Sequence, residues 1–227
     1  MIYMKRLTAP KFWPIEKKTK KFVLEPKPGP HPKHRCFTLG IVLRDLLGHA
    51  HTMKEAKKML KSGHVLVDNK QRKETAFPVG LMDIIHVGSE SYRIVPGNKN
   101  LMLKKIDEND AKIKLLEIKN KKIIGSRTQL NLHDGSNIIS SEKCKTGDVI
   151  VYDIEKKEIK EIFPMEKGSS VIITSGHNTG KTGKIEKIII TKGSQMNYVV
   201  VEIDGKKKLL PKNYAFVIGR ERPAIEL

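Results

Sequence analysis

The sequence predicts an α+β, multidomain protein: a basic N-terminal arm, a small α+β module, a small β-rich central domain and a small C-terminal β-barrel. Three observations carry this expectation. A chain of 227 residues exceeds what one minimal core needs and suits two or three small domains. The helix-period apolar patterns fall between residues 38 and 63, whereas most of the later chain reads as short apolar strands broken at close intervals by Gly, Asn and Asp turns. In the first part of the chain, Pro26, Pro28, Pro30 and Pro32 alternate through PKPGPHP, which forbids helix and sheet interior and leaves an extended segment.

The charge balance narrows the class of partner. Lys and Arg number 44 against 25 Asp and Glu, a net charge of +19 and a pI near 9.8, which is the footprint of a nucleic-acid binder. Aromatic residues make up only 5%, so neutralising phosphates and reading shape outweigh base stacking as the expected mode. Cys36 and Cys144 are far apart without a CxxC spacing, which signals neither a disulfide framework nor a zinc ribbon and makes a reducing cytoplasm the expected compartment. No apolar run approaches the ~18–20 residues of a membrane span, and the expectation is a protein neither inserted nor exported.

The arm, residues 1–36, carries Lys5, Arg6, Lys11, Lys17, Lys18, Lys20, Lys21, Lys27, Lys33 and Arg35 against Glu16 and Glu25. Of these, Lys5, Arg6, Lys11, Lys33 and Arg35 are candidate RNA contacts, and the arm is expected to order only when bound, because fixing a polar extended chain needs compensating contacts. Trp13, flanked by Phe12 and Pro14, reads as a hydrophobic anchor in preference to a base-stacking ring.

Residues 37–90 form the α+β module. TLGIVLRDLLG predicts a first helix from Thr38 with Leu39, Val42, Leu43 and Leu46 toward a core, Arg44 pointing away as a candidate contact, and a stop at Gly48. Thr52 and Glu55 make a capping box that starts a second helix ending at Gly63. At about 100° per residue, Met53, Ala56, Met59 and Leu60 share one face, and Lys54, Lys57, Lys58 and Lys61 share the opposite one. Like charges at this spacing repel by roughly 0.2–0.5 kcal/mol per pair, a cost that a polyanion removes. A solvated face remains the alternative, although solvated faces usually mix signs. A strand Val65–Val67, an Asp68-Asn69 hairpin turn, the cations Lys70, Arg72 and Lys73, a chain break at Pro78 and Gly80, and a strand Asp83–Val87 complete the module.

The two helices followed by GHVLVDNKQRKETAFPVGLMDII resemble the S-four type RNA-binding domain. Together with MKRLTAPKFWPI and PKPGPH, this stretch resembles one family in particular, the archaeal and eukaryotic small-subunit ribosomal protein family S-four-e, and the resemblance covers nearly the whole chain. It implies RNA contact by the second helix and by the loop after the following strand: Lys54, Lys57, Lys58 and Lys61, then Lys70, Arg72 and Lys73.

Residues 91–165 read as strands at Tyr92–Val95, Leu101–Ile106, Ile113–Ile118, Lys121–Ile124, Gln129–Leu132, Asn137–Ile139, Val149–Asp153 and Ile159–Phe163, a spacing that suggests a small barrel or sandwich. Lys119-Asn120 and His133-Asp134-Gly135 are the expected turns, and QLNLHDG resembles a recurring stretch of the same family's central domain. In residues 166–227, GSSVIITSGHNTGKTGKIEKI places Gly176, Gly180 and Gly183 between two apolar strands and resembles the KOW motif of SH3-like β-barrels. Lys181 and Lys184 are candidate phosphate contacts there, with Lys187 beside them. The stretch is not a nucleotide loop: three residues, where four are required, separate Gly176 from Gly180, and a strand follows in place of a helix.

Catalytic chemistry finds no support. No Ser-His-Asp order, HExxH or paired-carboxylate setting occurs, and His31, His34 and Cys36 lack a fourth zinc ligand, so neither metal nor cofactor is expected. The resemblance implies a non-enzymatic constituent of the small ribosomal subunit, cytoplasmic, with small-subunit rRNA and neighbouring ribosomal proteins as partners, without self-association or a small-molecule substrate. A transient RNA-binding translation or transcription factor built from the same modules is the alternative.

Overall fold

The computed structural model describes residues 3–98, 101–191, 193 and 195–225. Residues 1, 2, 99, 100, 192, 194, 226 and 227 of the four expected ranges lie outside them. The chain divides into two compact units, Met1–Val95 with Asn100–Ala111, and Pro96–Lys99 with Lys112–Leu227. No helix among the described residues is long and apolar enough to cross a membrane.

In the first unit, β1 (Tyr3–Lys5) pairs antiparallel with β2 (Phe22–Leu24), so the arm folds back as a hairpin instead of standing off as a free strand. Trp13 is the reason it stays down. Its ring is 2% exposed, sits 6.5 Å from the Phe37 ring, and donates Nε1–H to the Cys36 carbonyl at 2.8 Å. The anchor reading of Trp13 therefore holds, and the arm expected to be extended is packed back as a hairpin. The proline segment is fixed at its far end by His31, whose Nε2 lies 2.8 Å from the buried Asp83 carboxylate.

β3 (Cys36–Thr38) pairs with β6 (Pro78–Gly80) in a two-stranded sheet. The expected break at Pro78 is thus a short strand, and its proline is tolerated because β6 has β3 as its single neighbour and lies at an edge. Helix α1 (Leu39–Ile41) runs directly into a π-helical turn, Val42–Leu46, closed by Leu47 N–H to the Val42 carbonyl, and stops at Gly48 with φ +70°. Leu39, Val42 and Leu43 face the core as expected; Ile41, outside the predicted stripe, is fully buried too. After α2 (Met53–Lys61), a five-stranded sheet runs in the order β5-β4-β7-β8-β9, from β4 (Val65–Val67), β5 (Lys70–Gln71), β7 (Ile84–Val87), β8 (Glu90–Pro96) and β9 (Leu101–Ile106). Asp68 and Asn69 both take positive φ, 50° and 59°, the left-handed pair that a two-residue hairpin needs.

The second unit holds two five-stranded antiparallel sheets. One has the order β12-β11-β10-β13-β14, built from β10 (Ile113–Ile124), β11 (Arg127–Leu132), β12 (Asn137–Ser140), β13 (Val149–Asp153) and β14 (Glu158–Phe163). The expected turn at Lys119-Asn120 is instead a register shift inside one continuous strand, because β10 changes partner there, from β13 to β11. Lys114, 3% exposed, is held in this unit by Asp134 at 3.1 Å.

The other sheet runs β18-β17-β16-β15-β19, from β15 (Ser170–Ile173), β16 (Thr182–Ile189), β17 (Tyr198–Ile203), β18 (Lys206–Pro211) and β19 (Ala215–Gly219). Its glycines have separate jobs. Gly176 and Gly180 take φ +92° and +86°, whereas Gly183 permits close approach, since a Cβ there would meet the Glu202 carbonyl oxygen at 2.4 Å. A Cβ on Gly180 would lie 2.6 Å from the Gly97 backbone. Gly180→Ala is accordingly expected to cost about 1–3 kcal/mol, read as a fall in the denaturant midpoint with an unchanged slope.

Candidate nucleic-acid interface

Helix α2 carries the centre of the candidate interface, and local chemistry places it. Thr52 Oγ1 accepts the Glu55 amide at 3.2 Å, while Glu55 Oε2 accepts the Thr52 amide at 3.3 Å and the His51 amide at 2.8 Å. The amides hold the Glu55 carboxyl below the usual carboxylate range, that of His51 first. Ala56 and Leu60 are fully buried, with Met53 and Met59 packed against the same core. That leaves Lys54, Lys57, Lys58 and Lys61 all exposed on the opposite side, and among the described residues no carboxylate pairs with them. The helix's acidic side chain, Glu55, is spent on the cap. Downstream of β4, Lys70 and Lys73 are exposed as well, whereas Arg72 is half-buried with its guanidinium 4.5 Å from the Phe77 ring centroid. Arg72 thus packs on an aromatic face, which orients it and reduces its freedom to reach out.

The arm candidates divide. Lys5, Lys11 and Arg35 are exposed, and Lys33 is exposed with Glu25 at 2.5 Å. Arg6 corrects the expectation: it is 5% exposed and donates Nε–H to the Glu16 carbonyl, so it braces the base of the arm and presents no cation outward. Arg44 is likewise less available than its sequence position suggests, being 17% exposed in its side chain and bound to Asp45 at 2.8 Å. In the second unit, Lys184 is exposed on β16 and Lys181 is exposed but held by Asp204 at 2.6 Å. Exposed pairs of this kind are worth about 0–1 kcal/mol, so a phosphate competes with them readily.

Two exposed residues escaped the sequence reading. Tyr3 and Phe22, 50% and 51% exposed, stand on the arm hairpin beside Lys5 and Lys21. Only the alternation of β1, with Met4 buried between Tyr3 and Lys5, would have pointed to the outer face.

His31 is engaged with Asp83, and among the described residues no group of three or more His, Cys, Asp or Glu is placed to hold a metal. Burial, with the Asp83 charge as a second cause, pushes the Cys36 thiol up to about 12. A thiol reagent at about pH 8 is therefore expected to leave Cys36 unmodified until denaturant is added, since the thiolate is the reactive form; mass spectrometry of the labelled peptides checks this.

Comparison with known proteins follows the same division of the chain. Residues 3–34 match the RS4NT (NUC023) domain, residues 42–85 the S4 domain, residues 88–159 the Ribosomal family S4e and residues 167–204 the KOW motif. The small ribosomal subunit protein eS4 of Methanothermobacter thermautotrophicus is 44% identical over 99% of this chain and 95% of its own. That of Staphylothermus marinus is 41% identical over the same shares. The crystal structure of the 30S ribosomal protein S4e from Thermoplasma acidophilum superposes with a TM-score of 0.72 at 36% identity, covering 82% of this chain and 95% of that one. With this identity along nearly its full length, and with the fold to match, the chain belongs to the small ribosomal subunit protein eS4 family.

Proposed function

We propose that this protein is a structural constituent of the small ribosomal subunit, binding folded small-subunit rRNA and standing among neighbouring ribosomal proteins in the cytoplasm as a single copy. The observation that carries the reading is the unpaired lysine face of α2 in a chain whose relatives are named as small-subunit proteins over their whole length. The family is a structural one, so no catalytic site is assigned. The match over 99% of the chain also disfavours a transient factor that merely borrows the modules.

Within this reading Lys54, Lys57, Lys58, Lys61, Lys70 and Lys73 meet phosphates across an A-form surface, and Arg72, set by Phe77, shapes the edge of that surface. Lys5, Lys11, Lys33 and Arg35 extend the contact along the arm, and Arg44 contributes only where RNA displaces Asp45. In the second unit Lys181 and Lys184 follow the Gly176–Gly180 turn into β16. There the order β18-β17-β16-β15-β19, a meander whose last strand returns beside the first, supports reading this sheet as an SH3-like barrel bearing the KOW hairpin. The test is a salt titration of binding to small-subunit rRNA: counterion release predicts log K falling linearly with log salt, by about 0.7–0.9 per phosphate neutralised. A flat response between low and physiological salt would sink the reading.

A further inference from the structure

We infer that the outer face of the arm hairpin is a stacking platform for unpaired nucleobases, a second kind of RNA contact beside the phosphate-reading lysines; the inference rests on the RNA-binding role proposed above. The register pairs Tyr3 with Leu24 and Lys5 with Phe22, so Tyr3, Lys5 and Phe22 share one face, while Met4 and Val23 are buried on the other. Leu24, opposite Tyr3 on that same face, is buried toward Gly40 of α1, so the exposed part of the face is Tyr3, Lys5 and Phe22. Tyr3 and Phe22 are consequently diagonal cross-strand neighbours, about 7–8 Å apart by strand geometry, a separation two successive nucleotides can span. Lys5 lies directly opposite Phe22 and next to Tyr3 along its own strand face, and the Lys21 ammonium is 5.5 Å from the Phe22 ring centroid.

Among the described aromatic residues these are the ones that stand exposed, although the chain is poor in aromatics and buries its tryptophan. A surface that contacts phosphate alone makes no use of two rings set side by side. Rings interleaved with cations suit single-stranded RNA: the rings take base faces without regard to sequence and the lysines take the backbone between them. The same cations make an apolar protein partner the poorer occupant, because burying Lys5 and Lys21 against it leaves both charges without counterions.

The experiment compares binding of the full-length protein to three labelled RNAs. They are an oligoadenylate of about eight nucleotides, an abasic ribose-phosphate strand of equal length, and a duplex of about 16 base pairs. The expected result is oligoadenylate binding about ten-fold tighter than the abasic strand. Tyr3→Leu with Phe22→Leu should remove that preference, Phe22→Tyr should keep it, and none of these changes should alter duplex binding, which also reports that the variants fold. Equal binding of oligoadenylate and abasic strand by the wild type, with the duplex still bound, overturns the platform and leaves the rRNA-binding role standing. A base preference that survives both leucines overturns it too. So does unchanged RNA binding with lost incorporation into subunits, which would assign the face to a protein neighbour. Failure to bind any RNA, small-subunit rRNA included, would refute the underlying role and the platform with it.

Discussion

Replacing Lys54, Lys57, Lys58 and Lys61 together by glutamine is expected to weaken binding to small-subunit rRNA by about 30- to 700-fold without lowering the melting temperature. The magnitude follows from exposed ion pairs worth about 0.5–1 kcal/mol each, about 2–4 kcal/mol for the set, at 1.4 kcal/mol per factor of ten. The salt slope should fall by about three, since each lysine removed forfeits about 0.7–0.9 of a counterion. The binding half of the prediction separates this account from a merely solvated face, and the stability half separates lost contact from lost fold. These lysines are exposed, and the helix is held by its capping box and by Ala56 and Leu60, none of which changes. Removing mutual repulsion in fact favours the helix slightly. Filter binding and thermal unfolding on the same preparation decide it.

Trp13→Ala is expected to cost about 3–5 kcal/mol, a large share of the roughly 5–15 kcal/mol that holds a domain together. Two losses combine: a ring 2% exposed in a cluster with Phe37, Met4 and Val23, and the Nε1–H bond to the Cys36 carbonyl. Trp13→Phe separates them, keeping much of the packing while leaving the carbonyl without its donor, at about 1–3 kcal/mol. Equilibrium unfolding gives the totals. Hydrogen exchange should show protection lost first at Arg6, whose amide donates to the Lys21 carbonyl as the hairpin closes.

The elements that sequence predicted well are those fixed by neighbours in the chain. The start of α2 follows from Thr52 and Glu55 three residues apart, its two faces from the helical period, and the Asp68-Asn69 turn from side chains that tolerate positive φ. What stayed hidden was decided by partners remote in sequence. Nothing local distinguishes Arg6, turned in to the Glu16 carbonyl, from Lys5, turned out beside Phe22; the pairing of β1 with β2 does. Arg72 and Lys73 read alike until Phe77 folds beneath one of them. Lys119-Asn120 has turn composition, yet a long strand shared between two partners absorbs it as a bulge. The candidate site was therefore legible in its helix, and less so in the arm, where burial sorts the cations.

The central claim is tested most directly by sedimenting native extract on a sucrose gradient and following this protein before and after a high-salt wash. The account predicts that it travels with the small subunit at close to one copy per particle and remains there after the wash. A protein that runs free of the subunit, or leaves it on washing while its neighbours stay, would contradict a structural role and assign the same RNA-binding surfaces to a transient factor.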